Sequence, residues 1–411
     1  MRKIFSITLL LFSFLTVWAQ HTAGNCQGSL SPYPEIKERI LYPDSLTPIF
    51  MNHVGRHGSR YPAGSTSAKT MQTALERAVS LGTITPLGLQ FKEVIENIII
   101  RSLGQWGELD SLGMAEQRGI ARRMFTLYPQ LFTSKGIVAQ SSHSPRSIMS
   151  MYCFTQELAR RAKGIDIATH AGPRLNSTLR PFDENTAYQR YMQEKPYQEI
   201  YQAYVDSTCP IPVTRLLGDG FPDSVEELKQ LSIIEYYNIA NMQAMGMKHE
   251  WEPFLTLDEY SLLWSCYNLR QYLMQCQSSL SFTPASIAAP LVQDIVETFD
   301  MAVKRKLSYS AKLRFAHQET VMPLYSLLKL EGCHFMTSNW SDLKNTFQDY
   351  RVVPMASNLQ LVLFKSKTGH YYLRCDLNEQ PIPLIEGSAV IYTPWNEARQ
   401  YMMTCAKHKT K

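Results

Sequence analysis

The segment Asn52 to Pro62, with the sequence NHVGRHGSRYP, constrains the fold of this chain most. It follows the apolar run Pro48 to Met51, which predicts a short buried strand. The segment sets His57 between Arg56 and Arg60, and arginine stays charged near neutral pH and presents donors that match phosphate oxygens. An imidazole between two such cations is well placed to attack a phosphorus atom, because they favour its neutral form and hold an anion in line. The alternative is a solvated basic turn bent by glycine and proline.

A second junction of strand and helix follows later in the chain. Ile137 to Ala139 is a short β-like run, and Ser144-Pro145 is a typical helix opening. Arg146 then falls in the first helical turn, where free amides and the helix dipole favour an anion. The alternative for Arg146 is an ion pair with a nearby carboxylate.

A third junction lies near the carboxyl-terminal part of the chain. Lys312 to Ala316 predicts a strand that ends in the sequence HQET, residues 317–320. In open α/β sheets, ligand sites form outside the carboxyl ends of the strands. We therefore expect His57, Arg146 and Glu319 to meet at one edge of a sheet, although they are far apart in the sequence.

These residues satisfy the needs of phosphomonoester cleavage. The reaction needs a nucleophile, donors for the equatorial oxygens and an acid for the leaving alkoxide. His57 can supply the nucleophile, and arginines 56, 60 and 146 can supply the donors. His317 and Glu319 remain for the third task. The alternative for Glu319 is capping of the helix that follows it.

The pattern R-H-G-x-R-x-P at residues 56–62 resembles the histidine acid phosphatases. The resemblance implies that His57 is the phosphorylated nucleophile and that Arg56 and Arg60 bind phosphate. The context SSHSPR resembles that of the third phosphate-binding arginine of the family, which implies the same role for Arg146. The family fold, a phosphoglycerate-mutase-like α/β core with an inserted, mainly helical cap, agrees with the β/α pattern.

The HQET sequence resembles a particular branch of that family. Most members carry His-Asp at this point, whereas His-Ala-Glu-Thr is typical of the multiple inositol-polyphosphate phosphatases, in which the glutamate is the proton donor. This resemblance implies that His317 donates to the phosphoryl group and that Glu319 protonates the leaving group. Gln318 departs from the alanine of the pattern. The sequence LRPFD resembles a cap segment of the same branch, so Arg180 is expected to reach a second substrate phosphate, with a surface ion pair as its alternative.

The amino terminus has the pattern of a signal peptide. Arg2 and Lys3 precede the apolar run Ile4 to Val17, and Val17-Trp18-Ala19 is an acceptable cleavage site. A membrane anchor is the alternative, but the run is short for a bilayer and no later segment predicts a span. We expect an exported protein without a stable membrane span. Cys26 is a poor lipidation site, although a lipid anchor stays an alternative.

The net charge excludes a nucleic-acid partner. The chain has a formal charge of +5, and removal of Arg2 and Lys3 lowers it to +3. No basic block of the kind that nucleic-acid binding needs is present. A polyanionic small molecule must therefore be bound by a local cluster of cations.

The cysteines favour disulfides over a metal site. Eight cysteines in an exported chain predict up to four disulfides, with Cys266–Cys276 as the first candidate pair and buried free thiols as the alternative. The sequence contains no C-x-x-C or HExxH motif, so we expect no metal and no other cofactor.

The predicted organisation is an α/β core interrupted by a helical insertion. After the signal peptide, residues 1–19, we assign 20–163 to the first part of the core, 164–285 to the cap and 286–411 to the second part. A hairpin is predicted from Asn358 to Cys375, and a last helix around Trp395 to Cys405.

The predicted function is a metal-free phosphomonoesterase acting on inositol polyphosphates such as phytate. A broad acid phosphatase for sugar phosphates is the first alternative. A mutase-like enzyme is disfavoured because a signal peptide removes it from cytoplasmic substrates, and a non-catalytic phosphate-binding protein would not need His57 and Glu319.

Overall fold

The computed structural model describes residues 22–133 and 135–407, so the predicted signal peptide lies outside the described residues. The strands of this part are β1 Leu46–Arg56, β2 Gly136–Ser141, β3 Ile167–Ala171, β4 Tyr309–Ala316, β5 Asn358–Ser366, β6 Tyr371–Leu377, β7 Gln380–Ile382 and β8 Tyr392–Pro394. Its helices are α1 Thr66–Leu81, α2 Pro86–Ser102, α3 Ser111–Leu127, α4 Pro145–Arg161, α5 Asn176–Leu179, α6 Pro181–Glu184, α7 Thr186–Glu194, α8 Gln198–Thr208, α9 Thr214–Leu217, α10 Val225–Ala240, α11 Leu257–Gln275, α12 Thr283–Ser286, α13 Ala289–Val303, α14 Gln318–Leu327, α15 Leu343–Thr346, α16 Asp349–Val352 and α17 Trp395–Lys407. None of these helices is long and apolar enough to cross a bilayer.

The strands form one mixed sheet. Its order is β3-β2-β4-β1-β5-β6-β7, and β8 also pairs with β6. The first four strands are mutually parallel, whereas β5 to β8 join in antiparallel pairs. Parallel strands need crossover connections, which place helices on the faces of the sheet. The carboxyl ends of β1, β2 and β4 therefore lie at the same edge.

Both faces of the central sheet are covered by helices. On β1, Met51 packs into a buried cluster with residues of α3 and α4, among them Met124 and Phe154. Phe50 and Val54, also on β1, pack into a larger cluster that includes residues of α11, α13 and α14. Alternate side chains of a strand point to opposite faces, so this pattern makes β1 a central strand buried on both sides.

Most of the strands and helices near the predicted site are confirmed. β5 and β6 form the predicted hairpin, and α17 is the predicted last helix. Asp110 caps α3, because its Oδ1 accepts a hydrogen bond from the amide of Leu112 at 2.9 Å. The first strand is longer than the apolar run that predicted it, since it continues through the polar residues up to Arg56.

The stretch predicted as a cap, residues 164–285, contains the helices α5 to α11, but its first residues do not belong to them. Ile167–Ala171 form β3, which pairs with β2 at the edge of the sheet. This strand is short and mostly exposed, so it lacks the apolar alternation that reveals a strand. After residue 185 the chain forms two successive helices, α7 and α8. Lys195, which follows α7, adopts a left-handed conformation with φ 48° and ends that helix.

The predicted disulfides are not observed. All eight cysteines lie in the described part of the chain and all are buried free thiols. The Cys266–Cys276 pairing is wrong because Cys266 lies within α11 and Cys276 follows its last residue. The step of ten positions from Cys266 to Cys276 corresponds to roughly 15 Å along a helix, which is too far for a disulfide. The thiol of Cys266 instead contacts that of Cys209, which follows α8.

The loop that follows β1 packs unusually closely against α3. A Cβ atom added at Gly58 would lie 2.5 Å from the carbonyl oxygen of Gly113, and one added at Gly113 would lie 2.1 Å from the carbonyl oxygen of Ser59. Carbon and oxygen atoms cannot approach so closely without movement of the backbone. A Cβ atom added at Gly119, on the same helix, would meet no backbone atom within 4 Å among its three nearest contacts, but only the guanidinium of Arg123, at 3.1 Å.

Gly113→Ala should therefore lower the free energy of unfolding by about 1–3 kcal/mol, the usual cost of overpacking. Gly119→Ala is the matched control, and it should be neutral or stabilising by up to about 1 kcal/mol because alanine favours a helix. Urea unfolding of the two variants and the natural protein measures the difference. Equal effects of the two substitutions would show that the contact between α3 and the loop is not tight.

The carboxyl group of Glu235 is an isolated polar group inside the helical part. Glu235 lies on α10 and its exposed fraction is 0%. Neither carboxylate oxygen has a hydrogen-bond partner among the described residues. Burial raises the pKa of Glu235 well above its usual range. Because the folded state binds this proton more tightly than the unfolded state, stability falls as the pH rises from about 4.3 through the folded pKa.

Glu235→Met keeps the length of the side chain and removes the ionisable group. We expect it to raise the free energy of unfolding at pH 8 by about 1–3 kcal/mol, the cost of an unsatisfied buried polar group. The gain should shrink towards pH 4.5, where the carboxyl stays protonated in the folded state and is about half protonated in the unfolded state. Urea unfolding at pH 4.5, 6 and 8 tests this, and a gain that does not change with pH would contradict it.

Candidate active site

Three loops meet at the carboxyl edge of the parallel strands. The last residue of β1, Arg56, is in register with Ala316 at the end of β4, and Ser141 of β2 is in register with Phe315. The amide of His57 donates a hydrogen bond to the carbonyl oxygen of Ala316 at 3.0 Å. The structure thus brings together the three junctions that the sequence predicted to meet.

The side chain of His57 is held in one orientation with one nitrogen free. It is 3% exposed, and its Nδ1 lies 2.9 Å from the carbonyl oxygen of Gly58. A carbonyl can only accept, so Nδ1 carries the proton and Nε2 keeps its lone pair. Burial, followed by the charges of Arg146 and Arg56, holds the pKa of His57 well below its usual range. The ring is therefore neutral and nucleophilic at Nε2.

Arg56 and Arg60 are fixed by backbone carbonyl groups. Nη1 of Arg56 donates to the carbonyl oxygens of Ser29 at 2.7 Å and Val353 at 2.6 Å. Nη1 of Arg60 donates to its neighbour Tyr61 at 2.8 Å. Carbonyl oxygens orient these side chains without neutralising them, so both guanidinium groups keep charge and free donors.

Arg146 projects into the same space from the first turn of α4. Among the described residues, arginines 56, 60 and 146 form no ion pair, and the Nε atom of each has no partner. The predicted alternative for Arg146, an ion pair with a carboxylate, is therefore not found. Burial, followed by the charge of Arg60, lowers the pKa of Arg56 and of Arg146 to about 10, so both stay protonated near neutral pH. These unpaired cations, of which Arg56 and Arg60 are buried and Arg146 is half-buried, form a site for an anion.

His317 stands beside His57, with 5.6 Å between the ring centroids. Its Nε2 lies 2.9 Å from Oγ of Ser142 and 3.0 Å from Nη1 of Arg180. A guanidinium only donates, so Nε2 accepts and the proton of the neutral ring lies on Nδ1. That nitrogen is 3.4 Å from Nη2 of Arg146. Both nitrogens are then donors, so one anionic oxygen beside them can accept hydrogen bonds from both.

Arg180 lies behind His317, at the start of α6. Its Nε donates to Oδ2 of Asp183 at 2.5 Å, and its guanidinium lies 4.7 Å from the ring centroid of Phe182. The ion pair that the sequence left as an alternative is thus present. Arg180 therefore contacts Asp183, Phe182 and His317. Its role in binding a second phosphate stays a prediction.

Glu319 lies in the first turn of α14 and is exposed to the cavity. It makes no capping hydrogen bond in the described structure, because α14 has no side-chain cap. Its charge acts on both Arg56 and Arg146, which places the carboxyl group at the edge of the arginine cluster. An accessible carboxyl group beside the anion site is the arrangement that a proton donor for a leaving group needs.

Two further groups support the site and were missed in the sequence. Glu116 accepts hydrogen bonds from the amide and the hydroxyl of Ser59, both at 2.7 Å, and from the amide of Tyr33 at 2.8 Å. It thereby fixes the loop that carries His57. Ser142, which holds His317, stands within the SSHSPR motif and could have been found there, whereas Glu116 carries no local signal.

The site opens into a cavity of about 550 Å³. The core residues Arg56, His57, Arg60, Arg146 and Glu319 line one side. Helices α8, α10 and α11 line the other side. The volume is typical of a small-molecule site.

Comparison with known structures shows the fold. The multiple inositol polyphosphate phosphatase of Bifidobacterium longum in its apo form has a TM-score of 0.78 at 18% identity, and the match covers 94% of this chain and 98% of that chain. The same enzyme in complex with inositol hexasulfate has a TM-score of 0.75 at 17% identity, with the same coverage. The phytase from D. castellii has a TM-score of 0.75 at 16% identity, over 95% of this chain and 87% of that chain.

A comparison with curated protein sequences finds no match. The family model of the histidine phosphatase superfamily (branch 2) matches residues 49–378, which include all three junctions of the site. The resemblance inferred from the motifs is therefore confirmed, and the chain belongs to the histidine phosphatase superfamily, branch 2.

Proposed function

We propose that this phosphatase is exported and hydrolyses inositol polyphosphates, including phytate, through a phosphohistidine formed at His57. The observation that carries the proposal is the free Nε2 of a buried, neutral His57 beside arginines 56, 60 and 146, which have no carboxylate partner among the described residues. A nucleophile within a ring of unpaired donors suits a phosphate group that is bound and attacked in the same place.

In the first step Nε2 of His57 attacks phosphorus and the bond from phosphorus to the ester oxygen breaks. The arginines bind the equatorial oxygens, and the Nδ1 proton of His317 adds a further donor. Glu319 gives its proton to the leaving alkoxide. In the second step Glu319 takes a proton from water, which attacks the phosphohistidine and releases phosphate.

The substrate class is supported by the cavity and by the structural neighbours. A space of about 550 Å³ accommodates more than a single phosphate group. The neighbours include a multiple inositol polyphosphate phosphatase complexed with inositol hexasulfate and phytases from D. castellii and Hafnia alvei. A broad acid phosphatase for sugar phosphates is the alternative, and comparable kcat/KM values for phytate and sugar phosphates would favour it. Export is proposed from the amino-terminal sequence alone.

Glu319→Gln tests the proposed acid. Phytate leaves as a basic alkoxide that needs a proton, whereas p-nitrophenyl phosphate leaves as a stabilised phenolate. We therefore expect kcat/KM for phytate to fall by about 10²–10⁴, with a much smaller loss for p-nitrophenyl phosphate. Assays contain EDTA, because arginines are expected to supply the counter-charge in place of a metal.

Glu331→Gln is the matched control for this test. Glu331 is exposed and follows the carboxyl end of α14, so its loss should leave both rates unchanged. Equal losses on both substrates in Glu319→Gln would show that Glu319 has a structural role and is not the acid.

A further inference from the structure

Each ring nitrogen of His317 faces an arginine. Nη1 of Arg180 lies 3.0 Å from Nε2, and Nη2 of Arg146 lies 3.4 Å from Nδ1. A guanidinium group only donates, and a neutral imidazole has a single nitrogen that accepts. The two arginines therefore compete for one acceptor, and the shorter distance gives that acceptor to Arg180.

The two tautomers of His317 have different consequences for the anion site. With the proton on Nε2, Nδ1 would accept a hydrogen bond from Arg146 and withdraw one of its donors from the anion. With the proton on Nδ1, both this N–H group and Nη2 of Arg146 stay available to a phosphoryl group. The proposed reaction needs the second arrangement.

The serine hydroxyls beside Nε2 do not select this tautomer. Oγ of Ser142 lies 2.9 Å from Nε2, and a hydroxyl can either donate to this nitrogen or accept from it. Oγ of Ser147 lies 3.5 Å from Nε2, but its proton is donated to the carbonyl oxygen of Ala316 at 3.2 Å. Both hydroxyls could therefore accept from a protonated Nε2, and the choice between the tautomers falls to Arg180.

Arg180 is held in position by its own segment, the LRPFD sequence at residues 179–183. Asp183 accepts hydrogen bonds from Nε at 2.5 Å and from Nη2 at 3.3 Å, which directs Nη1 towards His317. The ring of Phe182 lies 4.7 Å from the guanidinium group and makes an edge contact with the ring of His317, with 5.9 Å between the centroids. Each of the three nitrogens of Arg180 thus already has an acceptor.

The same segment is attached to the HQET motif by a buried hydrogen bond. Oγ1 of Thr320 donates to the carbonyl oxygen of Leu179 at 2.8 Å, and the exposed fraction of Thr320 is 0%. The residue before Arg180 is therefore fixed to the loop that carries His317 and Glu319. Two sequence motifs that are far apart in the chain form one unit around the ring of His317.

We propose that Arg180 is a positioning residue for phosphoryl transfer, which holds the proton of His317 on Nδ1 and leaves Nη2 of Arg146 to the anion. This inference rests on the proposed function, because it assigns the Nδ1–H group to the phosphoryl group that is transferred. Arg180 then contributes to the turnover of every substrate, whereas a contact with a second phosphate would contribute to that of polyphosphates alone.

Nitrogen NMR of the unliganded protein labelled with ¹⁵N-histidine reads the tautomer directly in neutral buffer. The signals of His317 are those that disappear in His317→Gln. We expect Nε2 to lack a proton in the natural protein and in Ser142→Ala, in which Arg180 still donates, and to carry a proton in Arg180→Met. Arg190→Met is the matched control, because Arg190 is exposed on α7, and its spectrum should equal that of the natural protein.

Steady-state kinetics provide the second measurement. In Arg180→Met, kcat/KM should fall roughly tenfold or more, the worth of a hydrogen bond to a charged group, and by a similar factor for phytate and for p-nitrophenyl phosphate. An unchanged rate with p-nitrophenyl phosphate and a loss confined to phytate would overturn the inference, because Arg180 would then act on a second phosphate.

The spectra also separate this inference from the proposed function. A proton on Nε2 in the natural protein, or an Nε2 that stays unprotonated in Arg180→Met, would overturn the positioning role of Arg180. Failure of the natural protein to hydrolyse phytate, with the spectra as expected, would instead overturn the proposed function. Thermal melting of each variant checks its folding, and Arg180→Ala takes the place of Arg180→Met if that variant is unfolded.

Discussion

The repulsion among Arg56, Arg60 and Arg146, which have no carboxylate partner among the described residues, is the constraint on which the rest of the site depends. Burial is the largest cause that lowers the pKa of His57, Arg56 and Arg146, and the neighbouring arginine charges lower each of them further. Like charges in a medium of low dielectric constant repel strongly, so the surrounding fold must hold them in place. A phosphate group relieves the repulsion. The stability given up by holding these charges together therefore becomes binding energy when an anion enters.

The amino-terminal segment and the helical part contribute to this support. The carbonyl oxygen of Ser29 binds Arg56, and the amide of Ser29 donates to Oδ2 of Asp349 at 2.9 Å. The other oxygen of Asp349 accepts from the indole of Trp264 on α11, also at 2.9 Å. A chain of hydrogen bonds thus runs from α11 through Asp349 and Ser29 to the phosphate-binding arginine. Helix α11, which lines the cavity, is thus joined to the arginine cluster by direct contacts.

The fold and the site could be predicted where one short segment contained both the pattern of a strand and a motif with specific chemistry. The strand and loop at residues 46–60 unite an apolar run with RHG, so both the parallel sheet edge and the placement of His57 could be predicted. The edge strand β3 could not, because its five residues are mostly exposed and lack apolar alternation. Glu116 was also missed, since its role arises from contacts with residues far away in the chain. The cysteine pairing failed for the same reason, because spacing along a helix does not give proximity.

The central claim is that His57 carries the phosphoryl group between substrate and water. Rapid quench into alkali with ³²P-labelled substrate tests it most directly, because phosphohistidine survives in base. The account predicts a label that appears before steady-state turnover, maps to the peptide containing His57 and is absent from His57→Ala, which should also be inactive. Label on another residue, or turnover by His57→Ala at a rate close to that of the natural protein, would contradict the account.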